Sequence, residues 1–343
     1  MDTEKFLGRR HALRSAAAAI AAPALVACGG GGSSFSSFAQ SSPASVDASV
    51  AGFVRLQPGT SGALVRADVP QTPWSSGSGQ DLMLFVGSAI KTFILAQFLR
   101  DSEVSRNGVT ERTSCVIDDT FRSPSSPVFG KLSGTSNYRN ALEAMMAHSD
   151  NMATDIALAQ AQPDRVRALI AQAGLAQTQI PNSTRRLFSY LAGAPIGTDL
   201  GWASMQRVLN GDSLGLTPRS DVINEHESML SSASDMVSWY QQALTGRYFQ
   251  NASTLVEFKR ISAVADSLWQ LVPPDTIAYG KGGSIDWEGF HALALAGQMR
   301  IRNVPISFCF SMNWQGGTVD SAGRVPEFGA AVSKVLAAAA AAV

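Results

Sequence analysis

The segment LMLFVGSAIKTFILAQFLR, residues 82–100, changes from an apolar, strand-like run into a helix that is apolar on almost every side. Ser88 stands at the predicted helix N-terminus, and Lys91 follows one turn later on the same face, within reach of the hydroxyl. Burial lowers the pKa of a lysine and favours the neutral amine that a general base needs. The helix N-terminus adds positive potential for an oxyanion, so Ser88 is a candidate nucleophile. A helix-capping serine followed by a snorkelling lysine is the structural alternative.

A second candidate motif, Ser149-Asp150-Asn151, connects two predicted helices, 138–147 and 152–161. The Ser149 hydroxyl is suited to relay a proton to a leaving amine, and the Asn151 amide to hold a substrate amide. Asp150 is expected to point inward and brace the loop. Helix capping is the alternative role, and it is compatible with catalysis.

The third motif is Lys281-Gly282-Gly283-Ser284, at the end of a predicted strand, 276–281. Glycines leave a strand edge open to the backbone of a ligand. The Ser284 amide could complete an oxyanion hole with that of Ser88, while Lys281 attracts a carboxylate. A glycine-rich turn between strands is the alternative.

The elements around these motifs follow the order strands, helices, strands and a final helix. Strands are predicted at 53–56, 63–66, 276–281, 291–301 and 305–314, and helices at 90–99, 138–147, 152–161, 164–173, 234–244 and 330–342. The order predicts an α/β domain over 49–343, with an all-helical subdomain inserted at about 89–250. The active site is then expected in the cleft where the two parts meet.

Composition excludes several classes of protein. The 343 residues are 45% apolar, enough for a sizeable core, and their net charge is zero without blocks of like charge. This balance argues against a nucleic-acid partner. The three histidines beyond the N-terminus, His148, His226 and His291, are dispersed, so we expect no metal and no cofactor. We expect a monomer.

The N-terminus has the order of an export signal. Residues 1–27 run from a basic into an apolar stretch, with an Arg9-Arg10 pair that resembles the twin-arginine motif. Residues 25–28, LVAC, resemble the lipobox of bacterial lipoproteins, which makes Cys28 the expected lipidated first residue. Residues 28–48 then form a Gly/Ser-rich tether to a membrane, and the domain is expected in the periplasm or cell envelope. An ordinary signal peptide with an incidental cysteine is the alternative.

Two further cysteines, Cys115 and Cys309, would lie in an oxidising compartment. A disulfide between them is possible, but their separation says nothing about geometry. The apolar, strand-like surroundings of Cys309 favour simple burial.

Together the three motifs resemble the S-x-x-K, S-D-N and K-T-G set of the serine β-lactamase and penicillin-binding protein superfamily, most closely its class A β-lactamase-like hydrolases. The resemblance implies an antiparallel sheet flanked by helices and an acyl-enzyme on Ser88. It implies catalytic roles for Ser88, Lys91, Ser149 and Lys281, and substrate contacts by Asn151, Gly282, Gly283 and Ser284. The expected substrate is a β-lactam or a cell-wall peptide. A D,D-peptidase, an esterase and a non-turnover penicillin-binding or muropeptide-sensing lipoprotein stay open.

The sequence departs from the family at two places. Class A enzymes carry a deacylating Glu in an E-x-x-L-N pattern about 36 positions past the S-D-N serine, but 180–188 reads IPNSTRRLF. An insertion of about thirty residues is expected between the second and third motifs. It contains Glu225 and Glu227, for which a solvated acidic turn is favoured over a replacement base. Gly282 replaces the threonine of K-T-G, whose hydroxyl contacts the substrate carboxylate in the family; Ser284 would compensate in part.

Overall fold

The structure, a computed structural model, describes residues 42–265 and 268–343. The predicted signal peptide, Cys28 and the tether as far as residue 41 lie outside the described residues.

The described chain forms ten helices and nine strands. The helices are α1 (Ala44–Val54), α2 (Lys91–Glu103), α3 (Tyr138–Ala147), α4 (Asn151–Ala161), α5 (Pro163–Gln172), α6 (Thr184–Leu191), α7 (Gly201–Leu209), α8 (Ala233–Ala243), α9 (Ala252–Ser262) and α10 (Thr318–Ala341). The strands are β1 (Ser61–Ala67), β2 (Trp74–Ser78), β3 (Leu84–Phe85), β4 (Ser114–Ile117), β5 (Gly134–Asn137), β6 (Leu230–Ser231), β7 (Ile277–Trp287), β8 (Phe290–Ile301) and β9 (Val304–Gln315). None of these helices has the length and apolar character needed to cross a membrane.

A five-stranded antiparallel sheet, in the order β2-β1-β9-β8-β7, forms the centre of the fold. The three C-terminal strands are long and follow one another through tight turns, whereas β1 joins from the N-terminal side beside β9. The strand β7 is therefore an edge strand, and half of its N–H and C=O groups point away from the sheet. The predicted α/β architecture with an antiparallel sheet is confirmed. The inserted subdomain is not all helical, however, because the short strands β4, β5 and β6 lie within 89–250.

Helices cover both faces of the sheet. On one face, α1 and α10 pack on β1 and β9; the Phe53 ring of α1 lies 5.2 Å from Phe310 and 5.5 Å from Phe328. On the other face the core continues into the helical part, with Trp239 and Tyr240 of α8 fully buried. The three sequence motifs lie on the side of this second core.

The helix α2 runs through the middle of the helical part. Its residues 93–96, Phe-Ile-Leu-Ala, are all 0% exposed, so the helix is buried all round as its sequence predicted. Five predicted helices, α2 to α5 and α8, match their observed bounds within a few residues. Such helices are predictable because their 3.6-residue pattern is local.

The start of the domain differs from its prediction. Residues 44–48, expected in the tether, and 53–54, expected in a strand, belong to α1. Val46, Val50 and Phe53 recur at helical spacing and are buried against the sheet, so burial of this face determines the conformation. The tether prediction is wrong at its C-terminal end.

Cys115 and Cys309 are both buried and both free, so the possible disulfide between them is not formed. The predicted burial of Cys309 is confirmed, because it is 0% exposed in the centre of β9.

Candidate active site

The Ser88 turn connects β3 to α2. Residues Gly87–Ile90 form one turn of 3₁₀ helix that continues directly into α2, and Ser88 is half-buried. The turn begins with Gly87 in the left-handed region, at φ 54°, where a side chain would be strained. The Val86 amide donates to the Met229 carbonyl at 2.9 Å, which fixes the start of the turn. The sequence therefore places a serine at the N-terminus of a buried helix.

Lys91 is completely buried one turn beyond Ser88. Its Nζ donates to the Ser149 carbonyl oxygen and to Asn151 Oδ1, both at 2.8 Å, and lies 3.4 Å from Ser149 Oγ. These contacts bring the first and second motifs together. The structural alternative for Lys91, a lysine whose amine extends to solvent, does not fit because this amine is fully buried.

The loop of the second motif is tightly held. Ser149 has a left-handed backbone, φ 56°, of the kind found at functional sites when the surroundings enforce it. The fully buried Asp150 accepts hydrogen bonds from the Ala153, Val128 and Phe129 amides, each at 2.8 Å. Asp150 thus caps α4 and braces the neighbouring loop, as predicted.

The Asn151 side chain joins Lys91 to a third segment. Its Nδ2 donates to the Pro124 carbonyl at 2.8 Å, while Oδ1 accepts from Lys91. An amide NH₂ carries two hydrogens, so one donor is left for a substrate carbonyl. The predicted role in holding a substrate amide is compatible with this orientation.

The third motif lies on the edge strand β7, directly against the Ser88 turn. A Cβ built on Gly283 would lie 2.0 Å from the Val86 carbonyl oxygen and 2.7 Å from the Ser88 amide nitrogen. A Cβ on Gly87 would lie 2.9 Å from the Ser284 amide nitrogen. The two glycines thus let the backbones of Ser88 and Ser284 approach, which is the geometry that a two-amide oxyanion hole requires.

Lys281 precedes these glycines on β7 and is 5% exposed. Its Nζ donates to the Gly282 carbonyl at 3.0 Å, so the amine stays beside the open strand edge. All seven predicted catalytic and binding positions besides Ser88 thus belong to the segments that surround the Ser88 turn. Their chemical roles remain predictions.

The region expected to carry the deacylating Glu forms the start of α6. Thr184 is fully buried there; its Oγ1 lies 2.7 Å from Ser123 Oγ and 3.3 Å from the Asn151 carbonyl oxygen. This helix start is therefore adjacent to the second motif, where a base could act, but it presents a hydroxyl in place of a carboxylate.

Asp155 is a candidate residue that the sequence analysis missed. It follows Asn151 by one turn of α4 and accepts from the Thr184 amide at 2.6 Å and the Arg185 amide at 3.1 Å. Complete burial raises the pKa of its carboxyl to about 6, although these amides favour the charged form. The spacing of four from Asn151 was the available signal. Asp155 joins α4 to the start of α6.

Glu227 differs from its prediction, because it is 2% exposed and not part of a solvated turn. Its carboxylate accepts from the Asn182 amide at 2.9 Å and from Asn182 Nδ2 at 3.0 Å, and pairs with Arg186 Nη2 at 2.7 Å. These bonds join the two ends of the segment 182–227, which we call the inserted segment because the insertion of about thirty residues predicted from the motif spacing would fall within it. Glu225 is exposed, as the turn prediction expected.

The inserted segment packs beside the end of β7. Trp287 Nε1 donates to the Arg219 carbonyl at 3.0 Å, and the Trp287 and Phe188 rings lie 6.1 Å apart. The Arg219 guanidinium stacks on the Tyr190 ring at 4.4 Å and donates to the Ala194 carbonyl at 2.7 Å. The insertion therefore forms a wall next to the strand edge that follows Ser284.

Within residues 42–265 and 268–343, no three side chains of the metal-binding types come together in a way that could hold an ion. The chemistry suggested by the site is that of an activated serine.

Comparisons with known proteins agree with this geometry. Residues 50–292 match the sequence profile of the β-lactamase enzyme family, whereas no curated protein is similar enough to count as a match. Among solved structures, a β-lactamase from Chitinophaga pinensis is 16% identical with a TM-score of 0.65, over 86% of this chain and 99% of that chain. PBP-A is 15% identical with a TM-score of 0.64, over 88% and 97%. A β-lactamase from Xanthomonas campestris pv. campestris is 17% identical with a TM-score of 0.62, over 87% and 97%. At these identities the structural likeness supports the fold.

Proposed function

Since the chain belongs to the β-lactamase enzyme family and is a serine hydrolase of that type, we propose that it forms an acyl-enzyme through Ser88. The substrate is a β-lactam or a related amide or ester. The observation that carries the proposal is the fully buried Lys91 amine, held by the Ser149 carbonyl and Asn151 Oδ1 at the foot of the Ser88 turn.

In the proposed acylation step, Ser88 Oγ bonds to the carbonyl carbon and its proton passes to Lys91 Nζ. The amides of Ser88 and Ser284 stabilise the negative oxygen of the tetrahedral intermediate. The carbon–nitrogen bond then breaks, and Ser149 supplies a proton to the leaving nitrogen. Because Lys91 Nζ lies 3.4 Å from Ser149 Oγ, the proton taken from Ser88 can replace the one that Ser149 gives up.

Substrate binding is proposed to use the edge of β7. Lys281 attracts the substrate carboxylate, and the glycine backbone at 282–283 leaves room for a ligand main chain. Asn151 contributes one N–H to the substrate amide. The missing threonine hydroxyl at Gly282 weakens the carboxylate contact, which Ser284 replaces in part.

A second candidate function is a penicillin-binding or muropeptide-sensing protein that is acylated and does not turn over. The observation that favours it is Thr184 at the start of α6, a buried hydroxyl bonded to Ser123 where a deacylating carboxylate would be needed. A slow D,D-peptidase or esterase is chemically related, because each depends on the rate at which water releases the ester on Ser88.

The decisive measurement is the intact mass of the protein after brief incubation with a fluorescent penicillin, followed over time. We expect one adduct per chain in the wild type and none in Ser88→Ala. Ser149→Ala is the matched control, since it removes a nearby serine hydroxyl and should slow formation of the adduct without abolishing it. Adduct formation by Ser88→Ala would contradict the proposal.

The lifetime of the adduct separates the candidates. Rapid loss indicates a β-lactamase with a base at an unusual place, and a persistent adduct indicates a peptidase or a sensor. An assay with a chromogenic ester runs in parallel. Turnover of the ester without a penicillin adduct would identify an esterase.

We also propose that the protein is exported and anchored to a membrane through a lipid on Cys28, as the N-terminal sequence predicts. The domain is then held in the periplasm or cell envelope and works as a monomer. Cys28→Ser should release it into the soluble fraction, with signal cleavage followed by mass spectrometry. Unchanged membrane association of this variant would refute the anchor.

A further inference from the structure

A cavity of about 450 Å³ lies at the opposite end of α2 from Ser88. It is formed by one face of α2, one face of α5 and the turn at 247–250. Arg100 follows Lys91 by nine residues, which corresponds to roughly 14 Å along a helix. The cavity is therefore separate from the catalytic cleft, and its size is in the range of small-molecule sites.

The cavity carries an excess of positive charge. Its charged lining residues are Arg100, Arg106, Arg165, Arg247, Asp101 and Glu103. One carboxylate, Asp101, is shared by two of the arginines: Arg106 Nε lies 2.9 Å and Arg165 Nε 3.2 Å from its oxygens. The Glu103 carboxylate instead accepts hydrogen bonds from two backbone amides, those of residues 250 and 251, at 3.0 and 2.8 Å.

Two guanidinium groups are left without an acidic partner. Arg100 donates to the neutral Gln172 Oε1 at 3.1 Å, and neither it nor the exposed Arg247 pairs with a carboxylate within 42–265 and 268–343. The C-terminal end of the α2 dipole offsets about half a charge. The cavity still keeps more than one net positive charge.

Gln97 adds a neutral hydrogen-bonding group to the wall of the cavity. It lines the cavity from α2, one turn before Arg100, and is only 3% exposed. Its side-chain amide makes no hydrogen bond to the residues that the structure describes. Because Gln97 lines the cavity, its amide N–H groups and carbonyl oxygen are available to bond to a ligand there.

We propose that this cavity binds a small organic anion with a phosphate or carboxylate group. Arg100 and Arg247 bind the anionic group, and the Gln97 amide donates to it. The rings of Tyr248 and Phe249 and the Leu169 side chain pack against the ligand's apolar body. Arginine forks match the planar or tetrahedral oxygens of such groups better than other cations do.

The test is isothermal titration calorimetry of the full chain with phenyl phosphate at low ionic strength. We expect one site per chain, at least tenfold weaker binding in Arg100→Gln/Arg247→Gln, and weaker binding in 0.5 M salt. Arg207→Gln, which removes an arginine 64% exposed on α7, is the matched control and should bind like the wild type. Thermal melts check that each variant is folded; if the double variant is unstable, the exposed Arg247→Gln alone carries the test.

The remaining ligands and one further variant test the chemistry and the place. Benzyl alcohol should not bind, and inorganic phosphate should bind more weakly than phenyl phosphate. If benzyl alcohol bound as tightly as phenyl phosphate, the ligand would not need a negative charge and the proposal of an anion site would be overturned. If inorganic phosphate bound as tightly as phenyl phosphate, the proposed apolar contacts would be overturned. Lys281→Gln should leave binding unchanged. Loss of binding in that variant, or in Arg207→Gln, or no binding by the wild type, would overturn the site.

Discussion

The close approach of β7 to the Ser88 turn makes Gly283→Ala the sharpest test of the oxyanion geometry. The new Cβ would lie 2.0 Å from the Val86 oxygen and 2.7 and 2.8 Å from the Ser88 and Ala89 amide nitrogens. All three are backbone atoms, so no side chain can rotate away. The strand and the turn must separate by about 1 Å or more, since ordinary contacts begin above 3 Å. This displacement moves the Ser88 and Ser284 amides apart.

Loss of one oxyanion donor lowers the rate by about 10²–10³, and overpacking costs about 1–3 kcal/mol of the free energy of unfolding. We therefore expect the acylation rate with a fluorescent penicillin to fall at least about 100-fold, and Tm to fall by about 2–8 °C. Gly52→Ala in α1 is the control: its Cβ would meet only Arg55 Nη2, at 3.7 Å, so stability should stay equal or rise. Wild-type acylation by folded Gly283→Ala would refute the reasoning.

Three further predictions concern the groups around the site. Lys91→Ala should lower the acylation rate by about 10²–10⁴, because it removes the proposed general base, and stopped-flow fluorescence with a penicillin measures this loss; a change below tenfold would exclude that role. Asp155 stabilises the fold most below its unfolded pKa of 3.8, and this contribution is lost as pH rises through about 6. Denaturant melts should therefore show wild-type stability falling by up to about 3 kcal/mol relative to Asp155→Asn between pH 3.5 and 7; parallel pH profiles would contradict this. Glu227→Gln should lower the free energy of unfolding by about 1–3 kcal/mol, because the bonds of this side chain to Asn182 and Arg186 weaken. Limited proteolysis should then cleave the inserted segment faster; an unchanged cleavage rate would show that these bonds do not hold the segment.

Local patterns predicted most of the framework. The helices α2 to α5 and the three C-terminal strands carry their periodicity within ten or so residues, and the first two motifs lie at helix ends as predicted. The strand predicted to end at Lys281 instead continues to Trp287, so the third motif lies in the middle of β7 and is not a turn between strands. The helix α1 was missed because its apolar residues follow a Ser-rich stretch and suggest a strand, while the contacts that make it helical come from β1 and α10.

The features that were missed depend on partners far apart in the chain. Asp155 is one polar residue of a helix until α6, about thirty positions later, places two amides on it. Glu227 stands in an acidic stretch that resembles a solvated turn, and only the return of the chain brings Asn182 and Arg186 to it. Local propensity and residue spacing carry no information about such contacts between distant parts of the chain.

The hydrogen bonds at the two ends of the inserted segment determine how far the segment can change in length without disturbing the rest of the fold. Gln179 and Leu230 exchange two backbone hydrogen bonds, at 2.9 and 3.1 Å, next to the Asn182–Glu227 contacts. When the ends of a loop are held, closure entropy grows only with the logarithm of its length, so tripling the loop costs about 1 kcal/mol. Lengthening or shortening the chain between these ends thus has little effect on the sheet. Substrate preference can then change through insertions in this wall while the serine and its lysine stay in place.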